Sequence, residues 1–176
     1  MAAPRSNIVL IGMPGSGKST VGPKLAEQLS LKYLDTDLLI TVQEGRELQS
    51  IVDADGYLEL RRLEERTLLE LDCEHHVIAT GGSAVYSDAG MTHLRQRAAV
   101  VFLDVDLETL TRRIDDEEHR GLVRRPGQTI AELYAERLPL YRRYADLRVV
   151  CTGLGADEVC TLIRAGLARD GSRAEL

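Results

Sequence analysis

Cysteine is scarce in this sequence: of 176 residues only Cys73, Cys151 and Cys160 carry a thiol. Their number is odd and no two stand in a C-x-x-C pair, which excludes both a disulfide framework and a zinc cage and leaves them as ordinary thiols. The histidines offer no metal-ligand spacing either, since His75 and His76 are adjacent ahead of an apolar stretch and His93 and His119 are isolated. No apolar run reaches the roughly 18 residues of a membrane span. The opening stretch MAAPRSN lacks the apolar core of a secretory leader, so a cytoplasmic protein is expected. Basic excess is also missing: 22 Lys and Arg against 28 Asp and Glu give a net charge of −6. That balance provides no general attraction to nucleic acid or to an anionic membrane, and neither partner is expected. An acidic ligand must then be met by a local basic site. Internal repeats and low-complexity segments are absent. With 44% hydrophobic residues the chain can form one good core, so residues 1–170 are expected to be a single domain, with 171–176 a frayed tail.

What is present starts with Gly12 to Thr20, GMPGSGKST, directly after the β-branched run Ile8 to Ile11. Gly12, Gly17, Lys18 and Ser19 fit the phosphate-loop pattern G-x-x-x-x-G-K-[ST], and a strand before it with a helix after it is the context that pattern requires. Glycine lets successive backbone amides turn inward around phosphate oxygens, and the helix adds its positive end. Gly12, Gly15, Ser16, Gly17, Lys18, Ser19 and Thr20 are therefore the candidate nucleotide site. Lys18 can reach the β- and γ-phosphates and Ser19 can hold Mg2+.

Further along, Val21, Leu25, Ala26 and Leu29 recur at helical spacing, and Pro23 within them predicts a kink or an irregular turn. A short strand at Lys32 to Leu34 leads to Asp35-Thr36-Asp37. Residues two apart on an extended segment face the same way, which lets one carboxylate serve Mg2+ and the other a substrate hydroxyl. The alternative is that Asp37 caps a helix over Leu38 to Val42. Between Glu47 and Leu71 the pattern is helical with a break at Asp55-Gly56. Arg61 and Glu64 share a face there, either as a solvated pair or as a carboxylate that fixes a guanidinium for anion binding.

Val77 to Ala79 reads as a strand ended by Thr80-Gly81-Gly82-Ser83, where a ligand can approach the backbone closely. Ala98 to Leu103 suits a strand buried on both faces, and Asp106 caps the helix containing Leu107, Leu110 and Ile114. From Asp115 to Gln128 the chain is charged, interrupted by Gly121, Pro126 and Gly127, and long for a connection. It reads as a lid in which Arg120, Arg124 or Arg125 closes over phosphates, or else as a surface excursion. Thr129 caps a helix through Arg137 and Tyr141, which Pro139 should distort. Leu147 to Val150 is the last strand, and Val159 to Leu167 line a closing helix. Strands alternating with helices five times predict an α/β fold, a parallel sheet covered on both faces with right-handed crossovers.

In their order and spacing, GMPGSGKST, Asp35 to Asp37, LRRLE at Leu60 to Glu64, Thr80 to Gly82 and RLPLY at Arg137 to Tyr141 resemble the shikimate kinases, within the phosphate-loop small-molecule kinase class. The resemblance covers Ile8 to about Leu167. It implies a three-layer α/β/α fold with five parallel strands in the order 2-3-1-4-5, substrate-binding helices over about 37–71 and a lid over about 115–128. It also implies transfer of the ATP γ-phosphoryl group to the 3-hydroxyl of shikimate; a monomer is expected. By the same resemblance Asp37 binds the acceptor hydroxyls and takes the proton, Asp35 touches Mg2+ through water and Ser19 coordinates it. Lys18 stabilises the migrating charge. Arg61 and Arg137 hold the shikimate carboxylate beside Gly82, Arg120 is the lid arginine and Arg113 packs on adenine. The chain departs from the family pattern at Ser83, where a third glycine is usual, at Arg120-Gly121-Leu122 in place of R-P-L, and at Pro23. The alternatives are a kinase of the same fold for another small hydroxy acid, such as gluconate or homoserine, and a nucleotide-binding regulatory protein without catalysis.

Overall fold

The structure, a computed structural model, describes residues 5–116 and 122–171. The apolar run ahead of the phosphate loop forms β1 (Asn7–Ile11), buried along its whole length. The chain continues through α1 (Lys18–Leu29), β2 (Lys32–Asp35), α2 (Thr36–Glu44), α3 (Leu48–Asp55), α4 (Tyr57–Glu70) and β3 (His76–Ala79). A short 3-10 turn at Ala84–Tyr86 then precedes α5 (Asp88–Arg95), β4 (Ala98–Asp104), α6 (Leu107–Asp116), α7 (Ile130–Tyr144), β5 (Leu147–Val150) and α8 (Ala156–Gly171). The sheet is parallel throughout, in the order β2-β3-β1-β4-β5, as expected.

Register decides where the site falls. Leu10 pairs with Ala79 and Ala79 with Asp35, so the carboxyl ends of β1, β3 and β2 lie side by side. The Gly12 loop, the Thr80 turn and the Asp35 turn therefore leave the sheet at one edge, where open α/β sheets bind ligands. Thr80 ties two of them together, since its amide and its hydroxyl both donate to the Leu10 carbonyl, at 3.2 and 3.1 Å.

Two apolar clusters hold the fold. The larger joins the sheet to α1, α5, α7 and α8 through residues such as Val9, Leu25, Phe102, Tyr141 and Ile163. A smaller one, made by Ile40, Ile51, Leu60, Leu63 and Val123, sits under α2, α3 and α4. Val123 belongs to the segment read as a lid, so the carboxyl-terminal part of that segment is packed on these helices. The amino-terminal part, Asp115 and Asp116, closes α6.

Pro23 lies within α1 and Pro139 within α7, and both helices continue past the proline. Each removes one backbone donor, but the buried faces around them, Val21, Leu25 and Ala26 in the first and Leu133, Arg137 and Tyr141 in the second, keep the helix as one element. The extended geometry expected for Asp35-Thr36-Asp37 ends at Asp35, because the Asp35 carboxylate caps α2 by accepting from the amides of Asp37 and Leu38. Asp37 is already in the first helical turn and is not the cap. The helix α5 was not anticipated, although Ser87, whose hydroxyl accepts from the Gly90 amide, is a conventional capping residue. Among the described residues no helix is long and apolar enough to cross a membrane.

Candidate active site

The phosphate loop rests on backbone conformations that side chains resist. Gly15 and Gly17 have φ of 78° and 98°, in the left-handed region that glycine enters without steric penalty. Gly17 is the N-cap of α1 and has no side chain to satisfy the first-turn amides, which remains a role for a ligand oxygen. The Lys18 ammonium donates to the carbonyls of Gly12 and Met13, at 2.8 and 2.9 Å, and to Ser16 Oγ at 3.3 Å. Ser19 and Thr20 are exposed at the helix start. Arg113, from α6, donates through Nη1 to the Gly15 carbonyl at 2.9 Å, which brings it to the nucleotide end of the loop.

A cleft of about 560 Å3 opens beside this loop. Its walls include Lys18, Ser19, Asp35, Asp37, Glu64, Gly82, Ser83 and Arg137. Tyr33 donates its hydroxyl to Asp35 Oδ2 at 3.3 Å. With its other oxygen capping α2, Asp35 has little freedom to turn toward a metal, which suits contact through water. Among the described residues no three His, Cys, Asp or Glu side chains gather into a metal cage. Ser19 and Asp35 offer only oxygen, and a pair of oxygen donors fits an Mg2+ ion that keeps waters and phosphate oxygens as its remaining ligands.

The turn after β3 fits against the acidic wall. The Gly81 amide donates to Thr36 Oγ1 at 3.2 Å. A methyl group at Gly81 would fall onto Glu64 Oε1 and lie 2.6 Å from Asp37 Oδ1, so only glycine allows both carboxyls to flank the turn. Glu64 is buried and accepts a hydrogen bond from Ser83 Oγ. Burial raises its carboxyl from 4.5 to about 8, the Asp37 charge adds to the rise, and Ser83, Arg137 and Arg61 oppose it. The expected Arg61–Glu64 pairing is therefore not made. Ser83 takes Glu64 instead, because the fold brings the turn after β3 onto the inner face of α4.

Arg137 is wholly buried. Its Nη2 donates to the Val123 carbonyl, and its Nη1 lies 2.9 Å from where a Gly82 methyl would be. Tyr141 holds the same turn by donating to the Gly82 carbonyl at 2.6 Å. No carboxylate among the described residues lies within ion-pair distance of Arg137, and its Nε has no partner. Arg61 is near but not on the cleft wall. It lies over the rings of Tyr86 and Tyr57, and its Nη2 is 3.9 Å from Glu136.

Of the arginines considered for the lid, Arg120 lies outside the described residues. Arg124 donates to the Gln128 carbonyl at 3.0 Å, and Arg125 to Glu136 Oε2 at 2.7 Å. Sequence reasoning missed Tyr86, Glu136 and the Ser83 contact of Glu64, whose partners come from distant parts of the chain and leave no local pattern. The thiols stay peripheral: burial pushes that of Cys151 up to about 11.

A phosphate loop on a parallel sheet in the order 2-3-1-4-5, with a cleft that joins its lysine to an acidic wall and a buried arginine, defines a phosphate-loop small-molecule kinase. The shikimate kinase family model matches residues 14–167. A shikimate kinase of Paracidovorax citrulli is 40% identical over 150 residues, 82% of each chain. One from Synechococcus sp. is 41% identical over 158 residues, 88% of this chain and 80% of that one. Among solved structures, the shikimate kinase of Acinetobacter baumannii in complex with shikimate aligns with a TM-score of 0.84 at 33% identity, over 93% of this chain and 94% of the other. A gluconokinase of Sinorhizobium meliloti, 20% identical with a TM-score of 0.54 over 98% of both chains, shares the fold alone. The chain belongs to the shikimate kinase family. As a member it is an ATP-dependent kinase that phosphorylates shikimate.

Proposed function

We propose that the reaction runs in the cleft beside the phosphate loop, with the acceptor carboxylate bound by Arg137 and Arg61 and the acceptor hydroxyl presented to Asp37. The observation that carries this reading is the buried Arg137 guanidinium, which meets no carboxylate of the described residues and has an Nε without a partner. A buried cation is stabilised by an anion, and an acid substrate supplies one. Gly82, against Nη1, gives the carboxylate room to enter.

In this reading Asp37 accepts the hydroxyl proton as the oxygen attacks the γ-phosphorus in line. The oxygen–phosphorus bond to ADP breaks as the new one forms. Lys18 leaves the carbonyls of Gly12 and Met13 for the phosphoryl oxygens, where charge accumulates. Gly12 to Thr20 hold the phosphates, and Arg113 borders the nucleotide. Ser19 directly, and Asp35 through water, would hold Mg2+, which neutralises phosphate charge when bound. The lid arginine is proposed to be Arg120. The enzyme is also proposed to act as a cytoplasmic monomer.

The test is steady-state kinetics of Arg137→Ala with shikimate and ATP. The expected result is a loss of about 2–5 kcal/mol in shikimate binding, a drop of roughly thirtyfold or more in kcat/KM carried by KM, with the KM for ATP little changed. An unaltered KM for shikimate would remove the carboxylate from Arg137.

A further inference from the structure

Both arginines assigned to the carboxylate meet on one aromatic ring. Tyr86 ends the short turn after Thr80–Gly82, and its ring centroid is 3.6 Å from the Arg61 guanidinium carbon and 5.4 Å from that of Arg137. Tyr57 borders Arg61 from α4 itself, at 5.2 Å. The Tyr86 hydroxyl donates to Glu136 Oε1, and that oxygen is the one 3.9 Å from Arg61 Nη2, beyond hydrogen-bond reach. The other Glu136 oxygen accepts from Arg125 Nη2 at 2.7 Å and from Gln128 Nε2 at 3.0 Å. The bond from Tyr86 is the main reason the Glu136 carboxyl is held below its ordinary range, so it stands beside Arg61 as an anion. Arg61 Nε is buried without a partner.

The arrangement has a physical consequence. A guanidinium carries its N–H donors in its plane and its attraction to an aromatic ring on its face. Stacking therefore fixes the orientation of Arg61 without occupying the donors that a carboxylate needs. A direct forked pair with Glu136 would do the opposite and consume that edge. By taking Glu136 Oε1 with its hydroxyl, Tyr86 keeps this competing anion occupied.

We propose that Tyr86 is a positioning residue for the acceptor carboxylate: its ring orients Arg61 beside Arg137, and its hydroxyl restrains Glu136 from pairing with Arg61. The inference rests on the reading that Arg61 and Arg137 receive the carboxylate. It assigns to Tyr86 a part in acceptor specificity and none in phosphoryl transfer.

A mutant cycle tests it. Parent, Tyr86→Leu, Tyr86→Phe, Arg61→Ala and the double variant Tyr86→Leu/Arg61→Ala are compared for kcat and for the KM of shikimate and of ATP. Tyr86→Leu is expected to raise the KM for shikimate roughly tenfold, between the exposed and the fully desolvated scale of a cation–ring contact, with kcat and the KM for ATP nearly unchanged. Tyr86→Phe, which keeps the ring but releases Glu136, is expected to raise it less. In the Arg61→Ala background Tyr86→Leu is expected to raise it clearly less than in the parent, since only the contact with Arg137 is left to lose, a non-additivity that a merely structural role would not produce. If Arg61→Ala raises the shikimate KM but Tyr86→Leu does not, or if the two effects add in full, Tyr86 does not act through Arg61 and the proposal is overturned. If Arg61→Ala itself leaves that KM unchanged, the carboxylate reading has failed and the proposal falls with it. Should Tyr86→Leu not fold, Tyr86→Met, closer in volume, takes its place in the same cycle with the same criteria.

Discussion

Glu64 and Arg137 are buried ionisable groups in the same cleft, and each has a consequence that can be measured without substrate. Glu64 holds its proton up to about pH 8 in the folded chain, against an ordinary value of 4.5. Because the folded state binds this proton more tightly, the contribution is fully present below about pH 4.5 and is lost as pH rises through about 8, with a slope approaching 1.4 kcal/mol per pH unit between them. Glu64→Gln, neutral at every pH, removes the decline. Urea midpoints at pH 5, 6.5 and 8 should show the variant gaining on the parent as pH rises; a constant difference would contradict the assignment. Arg137→Met makes a complementary case. Burial of the Arg137 guanidinium costs desolvation that Tyr141, Tyr86 and Glu64 oppose, and an apolar side chain of similar volume is expected to leave the stability of the ligand-free protein level or raise it, by up to about 4 kcal/mol. A clear fall in the thermal midpoint of ligand-free Arg137→Met would mean that the Val123 contact outweighs desolvation.

At the scale of elements, the site depends on how helices begin. Gly17 starts α1 without a side-chain cap and leaves its amides to a ligand, whereas α2 is closed by Asp35 and α7 by a capping box between Thr129 and Glu132. The helix α7 carries Glu136 and Arg137, so its start also sets the Arg137 end of the cleft. Thr129→Ala is expected to lower stability by about 1 kcal/mol, read as a shift in the urea midpoint, because it removes one half of that box. No change would mean that packing of Leu133 and Tyr141 alone fixes the helix start. This level was also where the sequence was most legible. The phosphate loop, the break at Gly56 and the Asp106 and Thr129 caps each follow from a local backbone requirement, and all stand where expected. Pro23 and Pro139 do not end their helices, because local propensity yields to buried packing. Asp35 holds the cap that the alternative reading gave to Asp37, because the helix begins at Thr36, two residues before Leu38.

Taken as a whole, the molecule places three loops from adjacent strand ends around one cleft, and the second small core under α2, α3 and α4 carries the wall opposite. The alternating pattern of strands and helices made the sheet readable from periodicity, and its strand order followed from the family resemblance. The chemistry of the acceptor wall was less readable. Arg61, Gly82 and Arg137 were singled out by resemblance, but their neighbours Tyr86, Glu136 and Ser83 contact partners 19 to 50 residues away, and only the folded chain brings these together. The central claim is that the buried Arg137, with the half-buried Arg61 beside it, selects a carboxylate for a phosphate-loop kinase. Its most direct test is ADP release with shikimate compared with its neutral methyl ester under saturating ATP and Mg2+. The account predicts turnover with shikimate and a loss of about a hundredfold or more in kcat/KM with the ester, since the ester leaves Arg137 buried and without its anion. Equal turnover of acid and ester would contradict it.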